Sequence, residues 1–166
     1  MIDEEGQLRI RGPQVFDRYW NRPAETASSF IDGWFCTGDI AEVDESGYRL
    51  LGRASVDILK TGGEKVSALE IEEVFRTHPA IDDCAVIGID DPQWGQRVAI
   101  AVIPAEDAST DDLALDVLRV WGRQHLSAPK VPSRLLVVDD LPRNAMGKVM
   151  KTEVALLFQP RPDTGG

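Results

Sequence analysis

Three short stretches hold the side chains in this sequence that could do chemistry. The first is Gly52-Arg53-Ala54-Ser55-Val56-Asp57-Ile58-Leu59-Lys60-Thr61-Gly62-Gly63-Glu64-Lys65-Val66. In it a cation follows an apolar run, an acid at Asp57 opens another, and the Gly62-Gly63 pair lets the backbone approach a ligand or take positive φ. The second, Thr37-Gly38-Asp39, offers a carboxylate that can accept two hydroxyl hydrogen bonds, as from a ribose, or can cap its own turn. The third, Pro142-Arg143-Asn144-Ala145-Met146-Gly147-Lys148, sets two cations around a glycine-containing loop before a helix. Such a loop presents a lysine to phosphate or carboxylate oxygens, or leaves it as solvated surface. Arg53 is equally open, to a phosphate or to a surface pair with Asp39 or Asp57. By themselves Gly62-Gly63 reads as a hairpin turn, and Trp94 and Trp121 as packing residues.

The elements that must position these residues follow from periodicity. Gln7-Leu8-Arg9-Ile10-Arg11 alternates with period two and stops at Gly12-Pro13, so it is predicted as a half-buried strand. A short helix is expected over residues 24–30, and Asp32-Gly33 turns the chain into Trp34-Phe35-Cys36. Ile40 to Val43 and Tyr48 to Leu51, around Asp44-Glu45-Ser46-Gly47, form the clearest hairpin and deliver Gly52-Arg53 at its far end. Ser67 with Glu70 predicts a capping box, with Ile71, Val74 and Phe75 on one helical face and a stop at His78-Pro79. Residues 84–89, 98–103 and 135–138 are apolar runs of strand length and are expected as strands of one small sheet. Between the last two, Thr110 is expected to cap a helix whose apolar face is Leu113, Val117, Val120 and Trp121. A final helix is predicted over residues 149–158.

Composition narrows the function classes. The chain has 166 residues, 43% of them hydrophobic, enough to bury a core. A formal net charge of −10 argues against nucleic acid, whose phosphates draw clustered Lys and Arg. Two cysteines, Cys36 and Cys84, make no disulfide framework and share no metal-ligand spacing with His78 and His125; no metal ligands are assigned. With no apolar run long enough for a membrane span and no basic or apolar leader, a cytoplasmic, reducing location is expected.

The order of the motifs is more specific than any one of them. Trp34-Phe35-Cys36-Thr37-Gly38-Asp39, then Gly52-Arg53 with Lys60-Thr61-Gly62-Gly63 and Glu70-Ile71-Glu72, then Leu141 to Lys148 closely resembles the C-terminal part of the adenylate-forming acyl-CoA synthetases. Gly6 to Gly12 and Tyr19-Trp20-Asn21-Arg22-Pro23 match the motif that precedes them in that family. The wording Glu64-Lys65-Val66-Ser67-Ala68 and Asp91-Pro92-Gln93-Trp94-Gly95-Gln96-Arg97 looks most like the malonyl-CoA and methylmalonyl-CoA synthetase branch.

The resemblance implies an AMP-forming ligation of a carboxylic acid to coenzyme A, using ATP and Mg2+ held mainly by an N-terminal adenylation domain. It implies Lys148 as the catalytic lysine of adenylation, Asp39 and Arg53 as nucleotide-binding residues, and Gly62, Gly63 and Lys65 on the loop that meets coenzyme A. The hinge would be Ser55, Val56 or Asp57, left open because the interval from Arg53 to Gly63 is one residue longer than usual. The expected fold is α+β. Residues 1–53 would be a β-hairpin segment ending the large domain, 54–158 a mobile small domain with a three-stranded sheet and packed helices, and 159–166 a disordered tail. The family's phosphate loop, adenine-binding segment and acyl pocket have no counterpart here, so a fragment, a truncated product or half of a split enzyme is expected, inactive alone. A piece of a peptide-synthetase adenylation domain and a non-catalytic stand-alone domain are the alternatives.

Overall fold

The computed structural model of the chain describes residues 1–159, which form two compact units divided between Ile58 and Leu59. The predicted tail lies outside the described residues from 160 onward.

The first unit is built on one long strand. β3 (Trp34–Asp44) pairs antiparallel with β1 (Gln7–Ile10), β2 (Phe30–Ile31) and β4 (Gly47–Arg53), and a short helix, α1 (Pro23–Ser28), precedes β2. The β3–β4 turn is fastened by Asp44, whose Oδ1 accepts from Ser46 N at 2.7 Å, the local bond that favours aspartate in turns. Phe16 and Tyr19, ahead of α1, gather with Phe30 and Phe35, while Trp20 stays 85% exposed.

The second unit is a five-stranded sheet: β5 (Ile58–Thr61), β6 (Glu64–Ser67), β7 (Ile81–Asp91), β8 (Gly95–Pro104) and β9 (Arg134–Val137). β7 and β8 are a long antiparallel hairpin, and β9 runs parallel to β8. The three expected strands are thus present, but the count of three is corrected to five. The Gly62-Gly63 turn folds β5 and β6 into an extra hairpin that joins β8 through Thr61 and Gly95. Each of its arms is four residues long, too short for an alternating pattern to show.

Both faces of this sheet are covered, which is why β7 and β8 read as continuous apolar runs. Cys84, Val86, Val98, Ile100 and Val102 face one core with Ala68, Ile71 and Phe75 of α2 (Ala68–Phe75) and Leu118 of α3 (Leu115–His125). Ala85, Ile87, Ala99 and Ala101 face the other with Leu141 and with Val154 of α4 (Lys151–Leu157). Phe75 is fully buried, so its truncation to alanine would cost about 3–5 kcal/mol.

Ser67 caps α2 as expected, its side chain accepting from Glu70 N at 3.1 Å. The α3 expectation is corrected at two points. Thr110 opens a separate turn, in which Ser109 Oγ donates to Asp112 at 2.6 Å, and the helix starts at Leu115. Its inner face is Leu118, Trp121 and Gly122, whereas Val117 and Val120 are exposed. The later start explains the shift, since it removes Leu113 from the helical register used to set the face.

Candidate functional site

In the first unit, register brings two of the expected residues together. Asp39 and Arg53 are direct partners across β3 and β4, and Arg53 Nε lies 2.9 Å from Asp39 Oδ1. Gly38, at φ +78°, lets the strand bend just before Asp39, and Thr37 Oγ accepts from Asp39 N at 3.0 Å. The Asp39 side chain stays 27% exposed beside Arg53, so the carboxylate remains open to a hydroxyl donor.

Beyond Arg53 the strand ends. Residues 54–57 form a turn closed by Asp57 N donating to Arg53 O at 2.8 Å and by Arg53 N donating to Asp57 Oδ2 at 3.0 Å. Ser55, Val56 and Asp57 therefore sit in a turn between strands rather than inside a rigid element.

In the second unit Gly62 and Gly63 are the tip of the β5–β6 hairpin, at φ +60° and +84°. The tip is clasped by the β7–β8 turn, with Gly62 N donating to Trp94 O and Lys60 N to Gln96 Oε1, both at 2.9 Å. A Cβ on Gly62 would meet the Trp94 ring at 3.1 Å, whereas one on Gly63 would meet nothing. Beside the tip lies a cavity of about 410 Å³ lined by Gly62, Glu64, Trp94, Arg97, Arg119 and Ser133 among others. Arg97 pairs with Asp91, but Arg119 Nε is buried without a hydrogen-bond partner among the described residues. Trp94 is therefore half-exposed at this cavity, not a core residue. Lys65 is exposed on β6.

Lys148 closes a compact loop. Asn144 N donates to Lys148 O at 2.9 Å, and Asn144 Oδ1 accepts from Met146 N and Lys148 N at 3.0 Å. Gly147 supplies positive φ at +78°, and Arg143 bridges to Val149 as the chain returns. Lys148 is exposed, and its ammonium has no ion-pair partner among the described residues.

Sequence reasoning missed what lies under this loop. Glu72 of α2 is 3% exposed and accepts from Val86 N at 2.8 Å, with Lys151 Nζ at 2.8 Å and Arg76 at 3.3 Å. Arg76 also donates to Asp83 Oδ1 at 2.9 Å, and Arg143 meets Asp83 Oδ2 at 2.5 Å. Burial pushes the Asp83 carboxyl up, but hydrogen bonds from Arg76, Arg143 and Cys84 N outweigh it and hold the group below the usual carboxylate range. Beside this network burial pushes the Cys84 thiol up to about 12, so it stays protonated and is no nucleophile. Nothing local in the sequence separates Glu72 from its exposed neighbour Glu73; the only signal was its place on the face of Ile71 and Phe75. Among the described residues no group of His, Cys, Asp or Glu is placed to hold a metal, and no helix is long and apolar enough to cross a membrane.

Residues 70–148 match the AMP-binding enzyme C-terminal domain. The mitochondrial malonate–CoA ligase ACSF3 of Mus musculus is 50% identical over 159 residues, 95% of this chain and 27% of the relative. The malonate–CoA ligase of Arabidopsis thaliana is 44% identical over 158 residues, 90% of this chain and 26% of the relative. The crystal structure of ATP-bound MatB from Rhodopseudomonas palustris superposes with a TM-score of 0.80 at 37% identity, over 92% of this chain and 30% of that one. The chain thus spans between a quarter and a third of the proteins it matches.

Proposed function

We propose that this chain is the carboxy-terminal part of an AMP-forming acyl-CoA ligase. The reaction joins a carboxylic acid to coenzyme A at the expense of ATP, giving AMP and pyrophosphate. Malonate or methylmalonate is the proposed acid, because relatives covering the chain are named malonate–CoA ligases. Its partner is the larger N-terminal portion that those relatives carry, and the chain alone is inactive. One observation carries the reading: in a chain with 28 acids against 18 lysines and arginines, Lys148 is held out on a shaped loop with its charge unpaired among the described residues.

The chemistry of the residues suits the groups they would meet. Lys148 would neutralise charge shared between carboxylate and phosphate oxygens. A unit charge at ~4 Å and an effective dielectric of ~20 is worth about 4 kcal/mol, roughly a thousandfold in rate when felt in the transition state. The part-exposed carboxylate of Asp39, with Arg53 beside it, suits a ribose and its phosphate. The empty side-chain space at Gly63 leaves room for a thin chain, and the Trp94 ring with the unsatisfied Arg119 suits an aromatic, phosphorylated ligand such as coenzyme A. The described residues offer Mg2+ no ligand group, so the metal falls to the rest of the enzyme in this proposal.

Two half-reactions ask for two working surfaces, and the packing of the second unit suits that division. Leu59 and Val66, flanking the glycine tip, pack into the core on the α2 and α3 face; Leu141 and Val149, flanking the lysine loop, pack into the core on the α4 face. A mobile domain over 54–158, pivoting at Ser55, Val56 or Asp57, would offer one and then the other. The proposed location is cytoplasmic on cysteine usage, beside relatives that include a mitochondrial protein.

An ATP–pyrophosphate exchange assay with malonate tests the reading. Exchange is expected when the chain is supplied with the N-terminal portion and absent with the chain alone; exchange by the chain alone, or none from the combination, overturns it.

A further inference from the structure

Lys148 can act on a reacting group only if its ammonium is held in place, yet residues 143–148 are all exposed. Asn144 fixes the shape of the loop from within, through its bonds to Met146 N, Lys148 N and Lys148 O. It does nothing to fix where that shape sits on the sheet. One side chain does. Arg143 donates through Nη1 to Gly147 O, in its own loop, at 3.0 Å and through Nη2 to Asp83 Oδ2, on β7, at 2.5 Å.

We infer that Arg143 is the positioning residue for Lys148, with Asp83 as its anchor, an inference that rests on the function proposed above. The guanidinium spans two acceptors in one plane, which a lysine ammonium cannot reproduce. Its anchor is fixed in turn: Asp83 Oδ1 accepts from Arg76 Nε at 2.9 Å and Cys84 N at 2.8 Å, and Arg76 Nη2 also donates to Cys84 O at 3.1 Å. The far side of the loop is tied as well, because Lys151, three residues beyond Lys148, meets the buried Glu72 at 2.8 Å. The lysine is therefore carried on a loop pinned at both ends to one rigid patch of α2 and β7. Arg143 and Asp83 are 60 residues apart in the chain, so this pairing belongs to the fold and not to the motif.

The test pairs amide hydrogen exchange on the 166-residue chain with half-reaction kinetics on the chain combined with the N-terminal portion. Arg143→Gln is expected to speed exchange at Met146, Gly147 and Lys148 about tenfold with the β7 and β8 amides unchanged. It should slow adenylation on the order of tenfold or more while leaving thioester formation from a supplied acyl-adenylate within about twofold. Arg143→Lys, which can keep the Asp83 contact and lose the Gly147 one, should recover part of both effects. Lys130→Gln is the control: it removes the ion pair with Glu70, also 60 residues apart in the chain, does not touch Asp83, and should leave loop exchange and adenylation unchanged. Loop exchange that does not change in Arg143→Gln overturns the inference, as does equal loss of both half-reactions. A wild-type chain that supports no adenylation at all instead overturns the function proposed above, and with it the catalytic part of this inference, even where the exchange result stands.

Discussion

At the Gly62-Gly63 tip the backbone is clasped, with Trp94 against Gly62 and empty side-chain space at Gly63; around Lys148 the backbone is exposed and the side chains do the holding. The glycine tip is secured by main-chain donors at Lys60 and Gly62 and opens on a cavity. The lysine loop is secured by Arg143 before it and Lys151 after it, each reaching an acid on the sheet or α2. The difference suits the two tasks proposed for them. A passage for a thin ligand needs absence of side chain with a fixed wall, whereas a catalytic cation needs a long side chain on a fixed base. Because the stems enter opposite cores of one sheet, each device can be altered with little effect on the other.

The sharpest break is at Lys148 itself. Lys148→Ala should lower adenylation roughly a thousandfold and leave transfer from a supplied acyl-adenylate within about twofold. Measuring the two half-reactions separately on the completed enzyme checks this, and a similar fall in both would contradict the division of labour. Next comes the floor beneath the loop. Glu72→Ala removes a buried carboxylate from Lys151, Arg76 and Val86 N together, and should cost about 3 kcal/mol in urea unfolding of the chain. A loss under about 0.5 kcal/mol, the range of ordinary surface changes, would show that the network does not hold the loop.

The glycine tip should respond the other way round. Gly62→Ala places a methyl 3.1 Å from the Trp94 ring on a backbone at φ +60°, so thioester formation should fall about tenfold with adenylation retained. Gly63→Ala has the same strain, at φ +84°, but meets no neighbour, and should do less. If the Gly63 variant is the worse of the two, the wall formed by Trp94 is not what shapes the passage.

How much of this was legible before folding depends on how local each signal is. The β3–β4 hairpin, the Ser67 cap and the long β7 and β8 strands were readable because their causes lie within a few residues: a turn aspartate, a hydroxyl at the N-cap, an unbroken apolar run. The lysine loop and the glycine tip were visible as motifs, but not what supports them. Arg143 and Asp83, Lys130 and Glu70, Lys60 and Gln96 are pairs separated by 60, 60 and 36 residues, beyond the reach of any periodic pattern. Glu70 shows the limit well. Its backbone takes the cap from Ser67 as expected, but its carboxylate goes to Lys130 Nζ at 2.6 Å. The misplaced start of α3 has a local cause instead, since Ser109 and Asp112 supply a turn that competes with capping by Thr110.

The smallest expected effect separates the two sides of the sheet by pH. His78 is 8% exposed, lies edge-on to Trp121 at 4.8 Å, and accepts from Ala80 N through Nδ1 at 3.2 Å. Burial lowers its pKa below the usual 6.5, with the charge of Asp112 opposing only in part. The unfolded chain therefore binds this proton first as pH drops through 6.5, and stability falls from there down to the lower folded pKa. Asp83, under the lysine loop, has its pKa lowered from 3.8, so its contribution is lost only in a more acid window, as pH falls below 3.8 through its folded value. Urea midpoints between pH 7.5 and 5 should thus slope downward in the wild type and less so in His78→Gln, while Arg143→Gln, which touches only the Asp83 side, keeps the wild-type slope. An unchanged slope in His78→Gln would mean that the proton enters elsewhere, and that the α3 face is not the side of the sheet that weakens first on acidification.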